Sequence, residues 1–107
     1  MSESGLQRKC LEWLRVNHPR DICAANIHGG GWSAKGFPDL ILCIDGRFCA
    51  FELKVGENGM QSDQRVWKKR IERAGGLHFT PYTLEEFIND VEDVLHDQGR
   101  KNSGLRV

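Results

Sequence analysis

Leu6, Cys10, Trp13 and Leu14 recur three and four residues apart, with Glu3, Gln7, Arg8, Lys9, Glu12 and Arg15 as polar company. That spacing gathers the apolar set on one side of a helix, so an amphipathic helix is predicted from about Ser4 to Val16. His18-Pro19-Arg20 ends it, because a residue before proline avoids the helical region. Ile22 to His28 is short and β-compatible, and Gly29-Gly30-Gly31 breaks it. After a loop from Trp32 to Pro38, two nearly continuous apolar runs follow at Asp39–Ile44 and Arg47–Val55. Continuous rather than alternating apolar runs predict strands buried on both faces. Asp45-Gly46 between them is a two-residue hairpin signal.

Beyond the glycine-containing loop Gly56–Gln61, Ser62 is the expected N-cap of a second helix running to Ala74, with Gly75-Gly76 as its stop. Val66, Trp67, Ile71 and Ala74 form its apolar stripe, and Gln64 lies on the inward side at its start. Leu77–Tyr82 reads as a fourth strand. Thr83 and Glu86 form an expected capping box for a last helix whose buried side is Leu84, Phe87, Ile88, Val91, Val94 and Leu95. The order αβββαβα, without repeat or linker, predicts an α/β fold with a mixed four-stranded sheet flanked by helices. Residues 1–97 are read as a single domain and 98–107 as a flexible polar tail.

The hairpin register carries the chemistry. If Asp45-Gly46 is the turn, Ile44 faces Arg47, Cys43 faces Phe48, and the ladder continues until Asp39 faces Glu52. Opposed side chains on an antiparallel pair start about 4.5–5.5 Å apart at Cβ, and like charges there repel. Two carboxylates so placed need a proton or a cation. Lys54, two residues beyond Glu52, projects from the same face. An exposed Glu-x-Lys on an edge strand would be unremarkable. Here Phe51, Leu53 and Val55 interleave with the charges, and buried ions are costly unless paired or metal-bound. The residues read as a divalent-metal site with an adjacent lysine.

Composition changes this picture little. In 107 residues, 39% are hydrophobic and 28% charged, with net charge zero, as in one ordinary globular domain. No apolar run approaches a membrane span, and the first residues lack the layout of a signal peptide. A cytoplasmic location, in a bacterial or phage-infected cell, is the expectation, with no membrane partner. Cys10, Cys23, Cys43 and Cys49 form no Cys-x-x-Cys pair and are expected as buried free thiols, Cys43 and Cys49 on opposite strand faces. His18, His28, His78 and His96 lack metal-ligand spacing. Charge is segregated: residues 65–73 carry Arg65, Lys68, Lys69, Arg70 and Arg73 against Glu72 alone, whereas 85–97 carry six acids and no Lys or Arg.

Gly36-Phe37-Pro38-Asp39-Leu40-Ile41, Phe51-Glu52-Leu53-Lys54, Ser62-Asp63-Gln64-Arg65-Val66-Trp67 and Ala74-Gly75-Gly76 together resemble the VRR-Nuc (virus-type replication-repair nuclease) branch of the PD-(D/E)XK nucleases, in its small stand-alone phage-type form. The resemblance implies the PD-(D/E)XK restriction-endonuclease-like fold and a Mg2+- or Mn2+-dependent DNA phosphodiesterase, with no small-molecule cofactor. It implies Asp39, Glu52 and the Leu53 carbonyl as metal ligands, and Lys54 and Gln64 as further catalytic residues. The family also places an acid on its first helix, which aligns with Glu3 in preference to Glu12. Its small members resemble Holliday-junction resolvases, which implies branched DNA and a homodimer. Arg65, Lys68, Lys69 and Arg73 share a helix face that is either solvated or in contact with phosphates. Lys35 and Trp32 lie on the loop before Asp39, where Trp32 could stack on an unpaired base. The competing expectation is a non-catalytic DNA-binding module that kept the fold. A restriction-type enzyme lacks support because no recognition extension is present.

Overall fold

The structure, a computed structural model, describes residues 1–27 and 34–97. The expected Gly29–Gly31 break, Trp32, and the tail from residue 98 lie outside the described residues. Seven elements follow the expected order: α1 (Glu3–Asn17), β1 (Ile22–Asn26), β2 (Leu40–Ile44), β3 (Arg47–Phe51), α2 (Ser62–Arg73), β4 (Leu77–Phe79) and α3 (Leu84–Leu95). The sheet order is β1-β2-β3-β4, with β1, β2 and β3 antiparallel and β4 parallel to β3.

The hairpin closes as the sequence predicts. Asp45 and Gly46 both have positive φ, 52° and 78°, the combination a type I′ turn needs. Ile44 then pairs with Arg47, and the register runs down to Leu40 opposite Phe51.

Period two along these strands divides the sheet into two faces. Ile22, Leu40, Leu42, Ile44, Cys49 and Phe51 join Leu6, Cys10 and Leu14 of α1 and Phe87, Val91 and Val94 of α3 in one hydrophobic core. Phe51 packs against Phe79 and Phe87 with ring centroids 5.0 and 4.9 Å apart. The opposite face is met by α2, through Ile71 beside Phe48 and Gly76.

One helix cannot cover four strands, and the expectation of burial on both faces fails for that reason. Phe48 is 44% exposed and Cys43 is exposed, whereas β1, at the sheet edge, is exposed on both faces at every position except Ile22. Cys10 and Cys49 are buried as expected, but Cys23 and Cys43 are not. In α2, Val66 is 54% exposed and Ala74 is exposed, so only Ile71 of the expected stripe is fully inside and Trp67 is half-buried.

Two helix starts also differ in detail. The N-cap of α2 is Gln61, one residue before Ser62, because the Gln64 side chain turns back to accept from the Gln61 N–H at 2.8 Å. At α3 the Thr83 hydroxyl accepts from Glu86 N as expected, but the Glu86 carboxylate accepts from Tyr82 N rather than from the cap residue. The Gly75-Gly76 stop forms as expected: Gly75 has φ +97°, and the two N–H groups bond back to Glu72 O and Ile71 O.

Candidate metal and catalytic site

Regular pairing of β2 with β3 stops one step short of Asp39 and Glu52. The Asp39 N–H donates to Phe51 O at 3.1 Å, and the Asp39 side chain takes over from the backbone, its Oδ2 accepting from Leu53 N–H at 2.9 Å. Glu52 N–H and Lys54 N–H instead donate to Phe79 O and Pro81 O, which holds this segment to the chain of β4. Two consequences follow. The Asp39 carboxylate is anchored against the stretch that carries Glu52, and Glu52 and Lys54 remain on one side of an extended chain.

Both are deeply buried, with Glu52 3% and Lys54 4% exposed. Gln64, on the first turn of α2, joins them. Its Oε1 accepts from Lys54 Nζ at 2.9 Å, while its Nε2 donates to Glu52 Oε2 at 3.2 Å. The other Glu52 oxygen, Oε1, is buried without a hydrogen-bond partner.

Burial, then repulsion from the neighbouring Asp39 carboxylate, push the Glu52 carboxyl up to about 8. Lys54 opposes this shift, and Glu3 adds to it. Without a cation Glu52 is therefore largely a neutral acid at neutral pH. The Leu53 carbonyl accepts no hydrogen bond among the described residues. Among those residues, no three His, Cys, Asp or Glu side chains gather into a metal-ligand group.

Gly36 sets the distance between the Asp39 loop and α2. At φ +84°, a Cβ on Gly36 would lie 2.6 Å from Asp63 C, 2.7 Å from Asp63 O and 2.9 Å from Gln64 N. The backbone contact thus abuts Gln64 itself. Trp67 reinforces it, donating from its indole N–H to Lys35 O at 3.1 Å and packing edge-on against Phe37 at 5.0 Å. Gly36→Ala is expected to lower stability by about 2 kcal/mol or more, since both φ and the space forbid a methyl group. Denaturant unfolding measures this; a wild-type midpoint would refute the close approach.

The remaining candidates fall into three places. Glu3 is exposed on the first turn of α1 and within electrostatic reach of Glu52, whereas Glu12 is spent at the surface on Arg15, at 2.6 Å. Gln7 is buried and donates to Asn26 on β1. On α2, Arg65, Lys69 and Arg73 are exposed, Lys68 is paired with Glu72 at 2.6 Å, and Arg70 lies over the Trp67 ring at 4.3 Å. Lys35 is exposed, its carbonyl being the group that Trp67 uses. The sequence carried no signal for the Asp39–Leu53 bond or for the role of Gly36, because each is a contact between segments far apart along the chain.

A mixed four-stranded sheet flanked by helices, in αβββαβα order, defines an α/β fold. A solved structure described as "VRR_NUC domain protein" superposes on this chain with a TM-score of 0.73, covering 86% of each chain at 16% sequence identity. The resemblance to VRR-Nuc domains thus holds at the level of the fold. No protein-family model matches the sequence, and no curated protein matches it. Among the described residues, no helix is long and apolar enough to cross a membrane.

Proposed function

We propose that this chain is a divalent-metal-dependent DNA endonuclease, with Asp39, Glu52, Lys54 and Gln64 as its catalytic residues. The observation that carries the reading is the buried Glu52 carboxyl, pressed against Asp39 with one oxygen unpartnered. A group in that state has unmet capacity for a cation. Asp39, Glu52 and the Leu53 carbonyl, which accepts no hydrogen bond among the described residues, would form a small, all-oxygen donor set. It suits Mg2+ or Mn2+, which use one or two carboxylates and retain waters. Those three would hold the ion, with Glu3 as an outer carboxylate. When bound, the ion would supply Lewis acidity toward a phosphate oxygen and an acidified water.

The chain's own groups do the rest. Gln64 accepts from Lys54 Nζ and donates to Glu52 in one side chain, so it sets the distance between the ammonium group and the carboxylate pair. Lys54 is thereby held where it can orient the attacking water or stabilise charge developing on phosphorus. Lys54→Ala and Gln64→Leu are expected to retain metal binding but cut about a hundredfold more slowly. Unchanged turnover in either variant would remove that residue from the mechanism.

The exposed Arg65, Lys69 and Arg73, with Lys68 and Lys35, are proposed to hold the DNA backbone. Trp32, which lies outside the described residues, is proposed to stack on a base. DNA affinity should then fall steeply as salt rises, by roughly tenfold or more between 50 and 200 mM. A flat response would return α2 to a merely solvated face. Each domain offers a single site of this kind, and cutting both strands of a branch requires two. A homodimer acting on branched DNA such as a Holliday junction is the substrate-level form of the proposal.

The decisive experiment is cleavage of branched, flapped and linear DNA with Mg2+, with Mn2+ and with chelator. Cleavage that depends on the ion supports the proposal. Binding without metal-dependent cleavage of any substrate would make the chain a non-catalytic DNA-binding module.

A further inference from the structure

Cys23 on β1 and Cys43 on β2 are direct cross-strand partners, both exposed and both free thiols. Period two places them on the sheet face that α2 leaves open. The Ile27 N–H donates to Asp39 O at 2.8 Å, which marks the pair of residues 27 and 39 as hydrogen-bonded. Such pairs alternate along an antiparallel ladder, so residues 25 with 41 and 23 with 43 are of the same kind. At these positions Cα atoms lie about 5.5 Å apart, inside the range a disulfide spans. The Cβ atoms of a hydrogen-bonded pair lie toward the far end of the range of about 4.5–5.5 Å and must close by about 1 Å to reach disulfide geometry. The bond would therefore carry strain and be readily reduced rather than serve as a permanent tie.

We infer that Cys23 and Cys43 form a reversible dithiol–disulfide site for small-molecule disulfides. The thiolate of one cysteine, its proton lost to solvent, attacks a sulfur of the small disulfide. That S–S bond breaks, one thiol leaves, and a mixed disulfide remains on the chain. The second cysteine, as thiolate, then attacks the protein-side sulfur and expels the second thiol. In sum, the two cysteines lose two electrons and two protons, and the oxidant becomes two thiols.

The bond would staple β1 to the strand that begins directly after Asp39. Because β1 is the edge strand of the sheet and β2 is its one strand neighbour among the described residues, it has the most to gain from such a tie. Cys10 and Cys49 are buried and serve as internal controls.

The folded full chain is treated with oxidised glutathione and examined by intact mass, peptide mapping and thermal melting. The expected result is loss of two hydrogens per chain, a peptide linking Cys23 to Cys43, and a Tm raised by several degrees that dithiothreitol reverses. Cys23→Ser should keep one glutathione on Cys43 with no rise in Tm, and Cys43→Ser should do the converse. Retention of two glutathiones in the wild type, unreacted thiols, or links formed only between chains would each overturn the inference. DNA cleavage is not among the readouts, so this test stands apart from that of the nuclease proposal.

Discussion

Asp39→Asn and Glu52→Gln are each expected to abolish metal-dependent DNA cleavage, by about a thousandfold or more. The argument is electrostatic. Ion-assisted stabilisation of a phosphoryl transition state is worth several kcal/mol, and each 1.4 kcal/mol is a factor of ten. Removing either negative charge halves the anionic donors that would hold the ion. The amide variants are the informative ones. Asn at 39 still offers an oxygen to the Leu53 N–H, whereas Ala would leave that buried donor without its 2.9 Å partner and confuse lost chemistry with lost structure. Gln at 52 keeps the shape that Gln64 recognises. Single-turnover cleavage with Mg2+ and with Mn2+ measures the effect, with circular dichroism to show that the fold persists. Wild-type turnover by either variant would overturn the site assignment.

The metal-free protein is expected to lose stability as pH rises from about 5 to 8, and Glu52→Gln is expected to remove most of that loss. Glu52 stands at about 8 in the folded chain against an ordinary 4.5. Between those values the folded state holds a proton that the unfolded state has released. The favourable contribution is therefore complete below the unfolded value and disappears as pH climbs through the folded one. At 1.4 kcal/mol per pH unit, the change is on the order of 4 kcal/mol, or a Tm lower by roughly 15 °C or more.

Two other groups titrate nearby. Burial, with Asp93 and Glu86 adding repulsion, raises Asp90 to about 6, which acts in the same direction over a lower window. Burial and Lys68 lower His78, which acts oppositely, its contribution being lost as pH falls below its ordinary 6.5. The difference between wild type and Glu52→Gln isolates the Glu52 part. Adding Mg2+ or Mn2+ at pH 8 should restore the wild type by mass action, and chelator should reverse this. Parallel Tm profiles for the two proteins across this range would show that Glu52 is not a strained acid.

Local pattern made the site's core legible before any coordinates. A strand alternates every two residues and a type I′ turn admits little choice of register, so Asp45-Gly46 sufficed to count Asp39 and Glu52 into proximity. The same economy applies to α1 and α3, whose buried stripes of Leu6, Cys10 and Leu14 and of Phe87, Val91 and Val94 follow from helical spacing. Exposure was far less legible. Cys43 and Phe48 sit in runs as apolar as those of the core, yet they are open to solvent because α2 alone covers their face.

Sequence by itself determined the element order, the hairpin register and the inward position of Gln64, since each depends on neighbours within a few residues. Tertiary structure alone decided that Gln64 bridges Lys54 and Glu52, that Asp39 takes the Leu53 N–H, and that Gly36 must be bare to let α2 approach. The Gln64 and Gly36 contacts join segments 10 to 28 positions apart that only the docking of helix on sheet brings within range. The Asp39–Leu53 bond, 14 positions apart, forms where the β2–β3 ladder gives way to a side chain.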